Sequence, residues 1–233
     1  KDSMEQLTQA KEQELRARSM ALQTQINPHF YYNTLSSIIV LAENGDSQTV
    51  VKMCRNLSQI MRYITSTAET TVTLKDELDY VQKYLYCMKV RYQSSLNYSI
   101  DVDERLLSQP VPKLIIQPIV ENAIRYGSDC APPWNISVTS VVTHGSWQIE
   151  VSDTGPGFTE EAKERITANI MKAIQNPGLP ELKINGLGTV NVYLRWKIFC
   201  KGDIIFRYGN NTDGHGVVSI GRYFQNKEDK ETV

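Results

Sequence analysis

Residues 3–43 contain no glycine and one proline and are rich in Glu, Gln, Arg, Ala and Leu, a composition that predicts one long helix. Met4, Leu7, Leu15, Leu22 and Ile26 follow a loosely heptad-like stripe. The stripe fits a coiled-coil lead-in or a single amphipathic helix on a globular core. Pro28 should kink this helix, because it lacks an amide proton and crowds the preceding turn. Glu43-Asn-Gly-Asp-Ser-Gln48 reads as a turn. Beyond it Val51, Cys54, Leu57, Met61 and Ile64 recur at helical spacing, opposed by Lys52, Arg55, Gln59 and Arg62. Two helices joined by a short turn form a hairpin. Two such hairpins, from a homodimer, would bury both stripes in a four-helix bundle.

Thr73-Leu-Lys-Asp76 has the form of a capping box, and Leu74, Leu78, Val81, Leu85 and Met88 follow at helical spacing. Near residue 95 the period changes to two: Leu96, Tyr98, Ile100 and Val102 alternate as in a half-buried strand. Pro110 and Pro112 interrupt, and Leu114 to Tyr126 reads as a buried helix containing Pro118. Strands are predicted at Ile136–Val142 and Trp147–Val151, a turn at 153–157, a helix at 159–175 and a Pro/Gly-rich loop at 176–186. A helix at 188–200 and strands at 203–208 and 217–224 follow. The expected class is α+β, with helices on one face of a mixed sheet.

Composition narrows the function without naming it. The 233 residues suit one large or two modest domains. With 41% hydrophobic and 22% charged residues, this is ordinary globular composition. A formal net charge of -1 gives no electrostatic reason to expect nucleic acid as a partner. Cys54, Cys87, Cys130 and Cys200 are scattered, with no C-x-x-C pair, which argues against zinc and suits a reducing cytosol. No apolar run approaches the ~18 residues of a membrane span, and no stretch reads as a signal peptide.

Three histidines are present. His144 and His215 fall in turn-like sequences and read as solvated loop residues. His29 lies in a helical segment where Gln25, His29 and Asn33 share one face. A neutral imidazole is a good nucleophile near pH 7, and Asn33 could hold one ring nitrogen while the other points outward. Asp153-Thr-Gly-Pro-Gly157 closes an apolar strand; its glycines admit a ligand close to the backbone, and its carboxylate can accept from an exocyclic amine. The same tripeptide opens aspartic protease sites, but those need a second carboxylate, and this chain has one copy. Gly186-Leu-Gly188 precedes a helix, an arrangement that can cradle phosphate. Glu121 and Asn122 interrupt an otherwise apolar helix, where Mg²⁺ and a polyphosphate would be suitable partners.

Taken in order, these segments resemble a known family. Gln25-Ile-Asn-Pro-His-Phe-Tyr-Tyr-Asn-Thr-Leu35 resembles the phosphoacceptor box of LytS/YesM-type sensor histidine kinases, and Gln117 to Gly127 is similar to their N box. Asp153 to Gly157 and Gly186 to Arg195 resemble their two glycine boxes. The resemblance implies a helical dimerisation and phosphotransfer region (1–70), a connecting helix (71–94), a GHKL-type α/β sandwich with a mixed sheet that binds ATP (95–226), and a flexible tail (227–233). It implies that His29 accepts the γ-phosphate, with Asn33 beside it. Asn122 would ligate Mg²⁺ with Glu121 in support, and Arg125 and Tyr126 would face phosphates or ribose. Asp153, with Gly155 and Gly157, would bind adenine; Gly186 and Gly188 would hold the phosphates, with 158–185 as a lid. The implied partners are a second copy of the chain and a response regulator aspartate. The implied setting is the cytoplasmic portion of a plasma-membrane sensor, whose membrane-anchored region would lie outside this chain.

Two positions depart from the family pattern: Thr189 stands where relatives often have Leu, and Gly216-Val217 where Gly-Thr is usual. Phe30, where many other histidine kinases carry an acidic residue, is normal in this subfamily and leaves the base unidentified. Two alternatives therefore stand beside the kinase: a degenerate, non-catalytic dimeric scaffold and a GHKL ATPase clamp.

Overall fold

A computed structural model describes residues 28–66, 70–175 and 188–224. The lead-in stripe from Met4 to Ile26, Gln25 and Gly186 lie outside the described residues. So does the kink expected at Pro28, which is the first described residue of α1.

Helix α1 (Pro28–Glu43) and helix α2 (Ser47–Thr65) form the expected hairpin. Asp46 caps α2, its carboxylate accepting from the Thr49 amide at 3.0 Å. Helix α1 is apolar on two sides. Phe30 and Thr34 are buried and Tyr31, Ile38 and Leu41 pack beside the core, whereas Tyr32, Leu35, Ile39 and Val40 stay exposed. In α2 the core takes Met53, Leu57 and Ile60, while Val51, Cys54 and Met61 face outward. The stripe anticipated in α2 is thus divided, with Leu57 buried and Ile64 packed beside the core, while Val51, Cys54 and Met61 turn toward a second, open face.

Thr73 caps α3 (Leu74–Tyr92) through a complete capping box with Asp76. Leu74, Leu78, Val81, Leu85 and Met88 are all buried, and α3 packs against both hairpin helices and the sheet. Strand β1 (Thr71–Thr73) pairs with β3 (Pro110–Pro112) in a small antiparallel ladder, which corrects the reading of the two prolines as a simple interruption. The ladder tolerates them because flanking amides make its outer bonds: Leu74 N–H to Gln109 O and Lys113 N–H to Thr70 O.

The main sheet has the order β2-β4-β5-β7-β6. Its strands are β2 (Leu96–Asp101), β4 (Trp134–Val142), β5 (Ser146–Asp153), β6 (Ile204–Asn210) and β7 (Gly216–Tyr223). β2 runs parallel to β4 and the other pairs are antiparallel, so the sheet is mixed, as expected. Trp147, Ile149 and Val151 of β5 point into the core, where α4 (Gln117–Gly127) and α6 (Gly188–Cys200) lie. Helix α5 (Glu160–Gln175) packs on α6 through Ile170, Val190 and Leu194. α4 begins three residues later than its apolar run suggests, because Leu114 adopts φ +58° and the amides of Leu114, Ile115 and Ile116 bond to the Glu77 carboxylate instead.

Candidate functional site

Three segments meet at α4. A β-carbon on Gly188 would stand 3.2 Å from Asn122 Nδ2, and the same amide lies 3.5 Å from Thr189 Oγ1. The start of the described part of α6 therefore sits directly on Asn122. About one turn further along α4, a β-carbon on Gly155 would be 2.8 Å from Gly127 Cα and 2.9 Å from Tyr126 O. The glycine loop is thus wedged against the end of that helix. Antiparallel register pairs Ser152 with Val217 and brings Gly216 beside Asp153, where a β-carbon would stand 2.8 Å from Asp153 Oδ2. Only glycine leaves the carboxylate this room.

Asp153 Oδ1 accepts from the Gly155 amide at 2.8 Å. Burial pushes its carboxyl above the usual carboxylate range, opposed by that amide and by the charge of His215. His215, read from the sequence as a solvated loop residue, is half-buried, and its Nδ1 lies 2.8 Å from Gly155 O. That reading is corrected here. Gly157 (φ +72°) faces the β6–β7 turn, where a β-carbon would be 2.7 Å from Asn210 Oδ1 and would overlap Gly214 O. Gly157→Ala should therefore lower the unfolding free energy by about 1–3 kcal/mol, measured by urea denaturation. A variant as stable as the parent would contradict this packing.

Arg125 and Tyr126 are exposed at the end of α4, the guanidinium 5.7 Å from the ring centre. Glu121 turns a different way from Asn122, since successive helix residues diverge by about 100°. It accepts from Gln117 Nε2 at 2.8 Å, and its charge adds to burial in raising the Tyr84 hydroxyl on α3. Tyr84 in turn meets Phe30 with ring centres 4.9 Å apart. His29, the residue before Phe30, is exposed, and Asn33 Nδ2 is 3.0 Å from both of its ring nitrogens. The amide therefore holds the imidazole without selecting one nitrogen.

Residues 17–96 match the family described as histidine kinase, and residues 109–220 match the histidine kinase-, DNA gyrase B-, and HSP90-like ATPases. The sensor histidine kinase YesM of Bacillus subtilis is 36% identical over 64% of this chain and 25% of its own length. The chain belongs to the LytS/YesM-type sensor histidine kinases. Other relatives are an uncharacterized sensor-like histidine kinase of Staphylococcus epidermidis (32% identical, 86% of this chain, 40% of that protein) and the sensor histidine kinase YpdA of Escherichia coli (34%, 82% and 32%). The chain spans a quarter to two fifths of the length of these relatives. Among the described residues no helix is long and apolar enough to cross a membrane. In this family member, Asn122, Asp153, Gly155 and Gly188 converge around α4, Gly157 lies against the β6–β7 turn, and His29 and Asn33 stand on α1. Asn210 and His215, which no local motif marks, complete the glycine-loop side.

Proposed function

We propose that the chain binds Mg-ATP against α4, transfers the γ-phosphate to His29 and passes it to an aspartate of a response regulator. The observation that carries this reading is the joining of Asn122 to Gly188-Thr189 at one point of α4 and of Asp153-Gly155 to the end of that helix. Along α4 a carboxylate suited to the adenine amine thereby stands at the helix end and small residues suited to phosphate beside Asn122. With its nitrogen turned to Thr189, the Asn122 amide has its oxygen available as the hard donor that Mg²⁺ prefers; the ion, when bound, would neutralise phosphate charge. Arg125 and Tyr126 would face ribose or phosphates, and Gly188 would take the phosphate side.

In the transfer step one imidazole nitrogen attacks phosphorus, an N–P bond forms, the bond to the ADP oxygen breaks, and the ring proton leaves to a base. The attacking nitrogen needs its lone pair. An Asn33 rotated to present its carbonyl would accept from the ring N–H, so that the other nitrogen carries the attacking lone pair. Glu121, whose charge acts on Tyr84, the ring that meets Phe30 beside His29, would support this step.

The open apolar face of Tyr32, Leu35, Ile39, Val40, Val51 and Met61 suits burial against the same face of a second copy. A membrane-anchored sensor region preceding this part is included in the proposal.

The test is incubation with γ-labelled ATP and Mg²⁺. Acid-labile label is expected on the chain and none on His29→Gln. Label persisting in that variant would refute His29 as acceptor. Absence of label from every version, also with added regulator, would favour a scaffold. Free phosphate without labelled protein would favour an ATPase clamp.

A further inference from the structure

The β6–β7 turn is bound to the glycine loop along its length. Asn210 grips Phe158 from both sides, Oδ1 accepting from the Phe158 amide at 2.7 Å and Nδ2 donating to its carbonyl at 3.1 Å. Asn211 Oδ1 accepts from the amides of Asp213 (3.0 Å) and His215 (2.9 Å), which sets the turn's shape. His215 then reaches across the fold, 60 residues from Gly155 in sequence, to place Nδ1 2.8 Å from Gly155 O. Because that partner is a carbonyl, Nδ1 must carry the proton. The amide of the same Gly155 donates to Asp153. Gly155 is therefore pinned at both polar groups, the amide by the candidate adenine carboxylate and the carbonyl by the imidazole.

We propose that His215 is a positioning residue for nucleotide binding: by holding the Gly155 carbonyl it keeps the 153–157 loop in the form that presents the Asp153 carboxylate to adenine. The inference rests on the nucleotide reading of this pocket. His215 acts through Gly155 and not by touching the nucleotide. What the site requires from position 215 is one N–H at the place of Nδ1, on the atom next to Cγ. Asparagine carries an N–H in that same topological position. Glutamine carries it one bond further out, where Nε2 would be.

The experiment is calorimetric titration of the full chain with Mg²⁺ and the non-hydrolysable β,γ-imido analogue of ATP, using Asp153→Asn as reference. His215→Ala should bind about 3- to 10-fold more weakly, the range of one net hydrogen bond. His215→Asn should bind within about twofold of the parent, and His215→Gln should resemble alanine. The alanine variant should remain weaker than the parent at high pH, because a neutral ring carrying Nδ1–H still donates to the Gly155 carbonyl. Should His215→Ala also lower Tm, the Asn and Gln variants, both polar, decide the matter between themselves. Parent-like binding by the alanine variant, or failure of asparagine to rescue it, would overturn the proposal. Loss of that weakening at high pH would overturn it too, because the imidazolium charge would then be the agent. If the parent binds and Asp153→Asn binds equally well, the pocket itself has been misread, and the inference falls with it.

Discussion

Glu77→Ala is expected to remove about 3–5 kcal/mol of unfolding free energy, the range found when one partner of a buried charged network is deleted. In a chain of this size that corresponds to a fall in Tm of roughly 6–20 °C, read by calorimetry or urea denaturation. Glu77 is 0% exposed. Its carboxylate accepts from the Tyr63 hydroxyl at 2.5 Å, from the Ile115 and Ile116 amides at 2.8 and 3.2 Å, and from the Leu114 amide. Burial pushes its carboxyl upward, and these four donors oppose that shift. Truncation would leave three buried amides and a hydroxyl without an acceptor, and each orphaned group costs about 1–3 kcal/mol unless water reaches it. Glu77→Gln should fall between the two, because an amide keeps one acceptor while turning its own N–H groups toward donors. Tyr63→Phe, which deletes one donor, should cost about 1–2 kcal/mol. An alanine variant within about 1 kcal/mol of the parent would sink the argument, since typical surface substitutions lie near that size.

The same cluster ties α2 to α4. Tyr63 lies near the end of α2, and just beyond it the Ser66 carbonyl accepts from Lys113 Nζ at 2.5 Å. Arg195 of α6, buried, donates to the carbonyls of Leu114 (2.8 Å) and Lys113. The close of the hairpin, the segment leading into α4 and the helix that follows the second glycine box therefore share one network around residues 113–116. A displacement of α2 must disturb the same backbone that sets where α4, and with it Asn122, begins.

Much of this fold was legible because its signals are local. Thr73 and Asp76 sit three residues apart and form the capping box that spacing suggests, and the alternation of Trp147, Ile149 and Val151 places all three in the core. Legibility failed where a residue's partner is distant in the chain. Glu77 follows Lys75 and Asp76 in a charged first turn that carries no local sign of burial, yet its acceptor role is set by amides 37 to 39 residues away. The start of α4 moved for that same reason. His215 reads as a turn residue, and its contact lies 60 residues back. The outward set of Val51, Cys54 and Met61 was seen as apolar, but the sequence could not say that Met53 and Ile60 would take the core and leave it open. The candidate site was readable in residue type and order, through glycines and an Asn beside a Glu. The positioning shell of Asn210 and His215 was not, because no local period marks it.

Asp153→Asn is expected to weaken binding of Mg-ATP about 10- to 100-fold, the value of a hydrogen bond to a charged group, while raising the Tm of the nucleotide-free chain. The two effects share one cause. Burial holds the Asp153 carboxyl above its ordinary range despite the Gly155 amide and the charge of His215. A folded pKa above the unfolded one, near 4, means that the fold favours the protonated form. The associated stability is present below the unfolded pKa and is lost as pH rises through the folded one. The ionised carboxylate is therefore disfavoured by its own burial and kept for its acceptor chemistry, and a neutral amide of the same shape removes that cost. Parent affinity for the nucleotide should fall more steeply than that of Asp153→Asn as pH drops into the interval just above the usual carboxylate range. The difference between the two slopes reports the carboxylate, because the nucleotide's own phosphates titrate alike in both. A variant that is less stable when empty and binds nucleotide as tightly as the parent would show that Asp153 serves the loop's structure and not adenine.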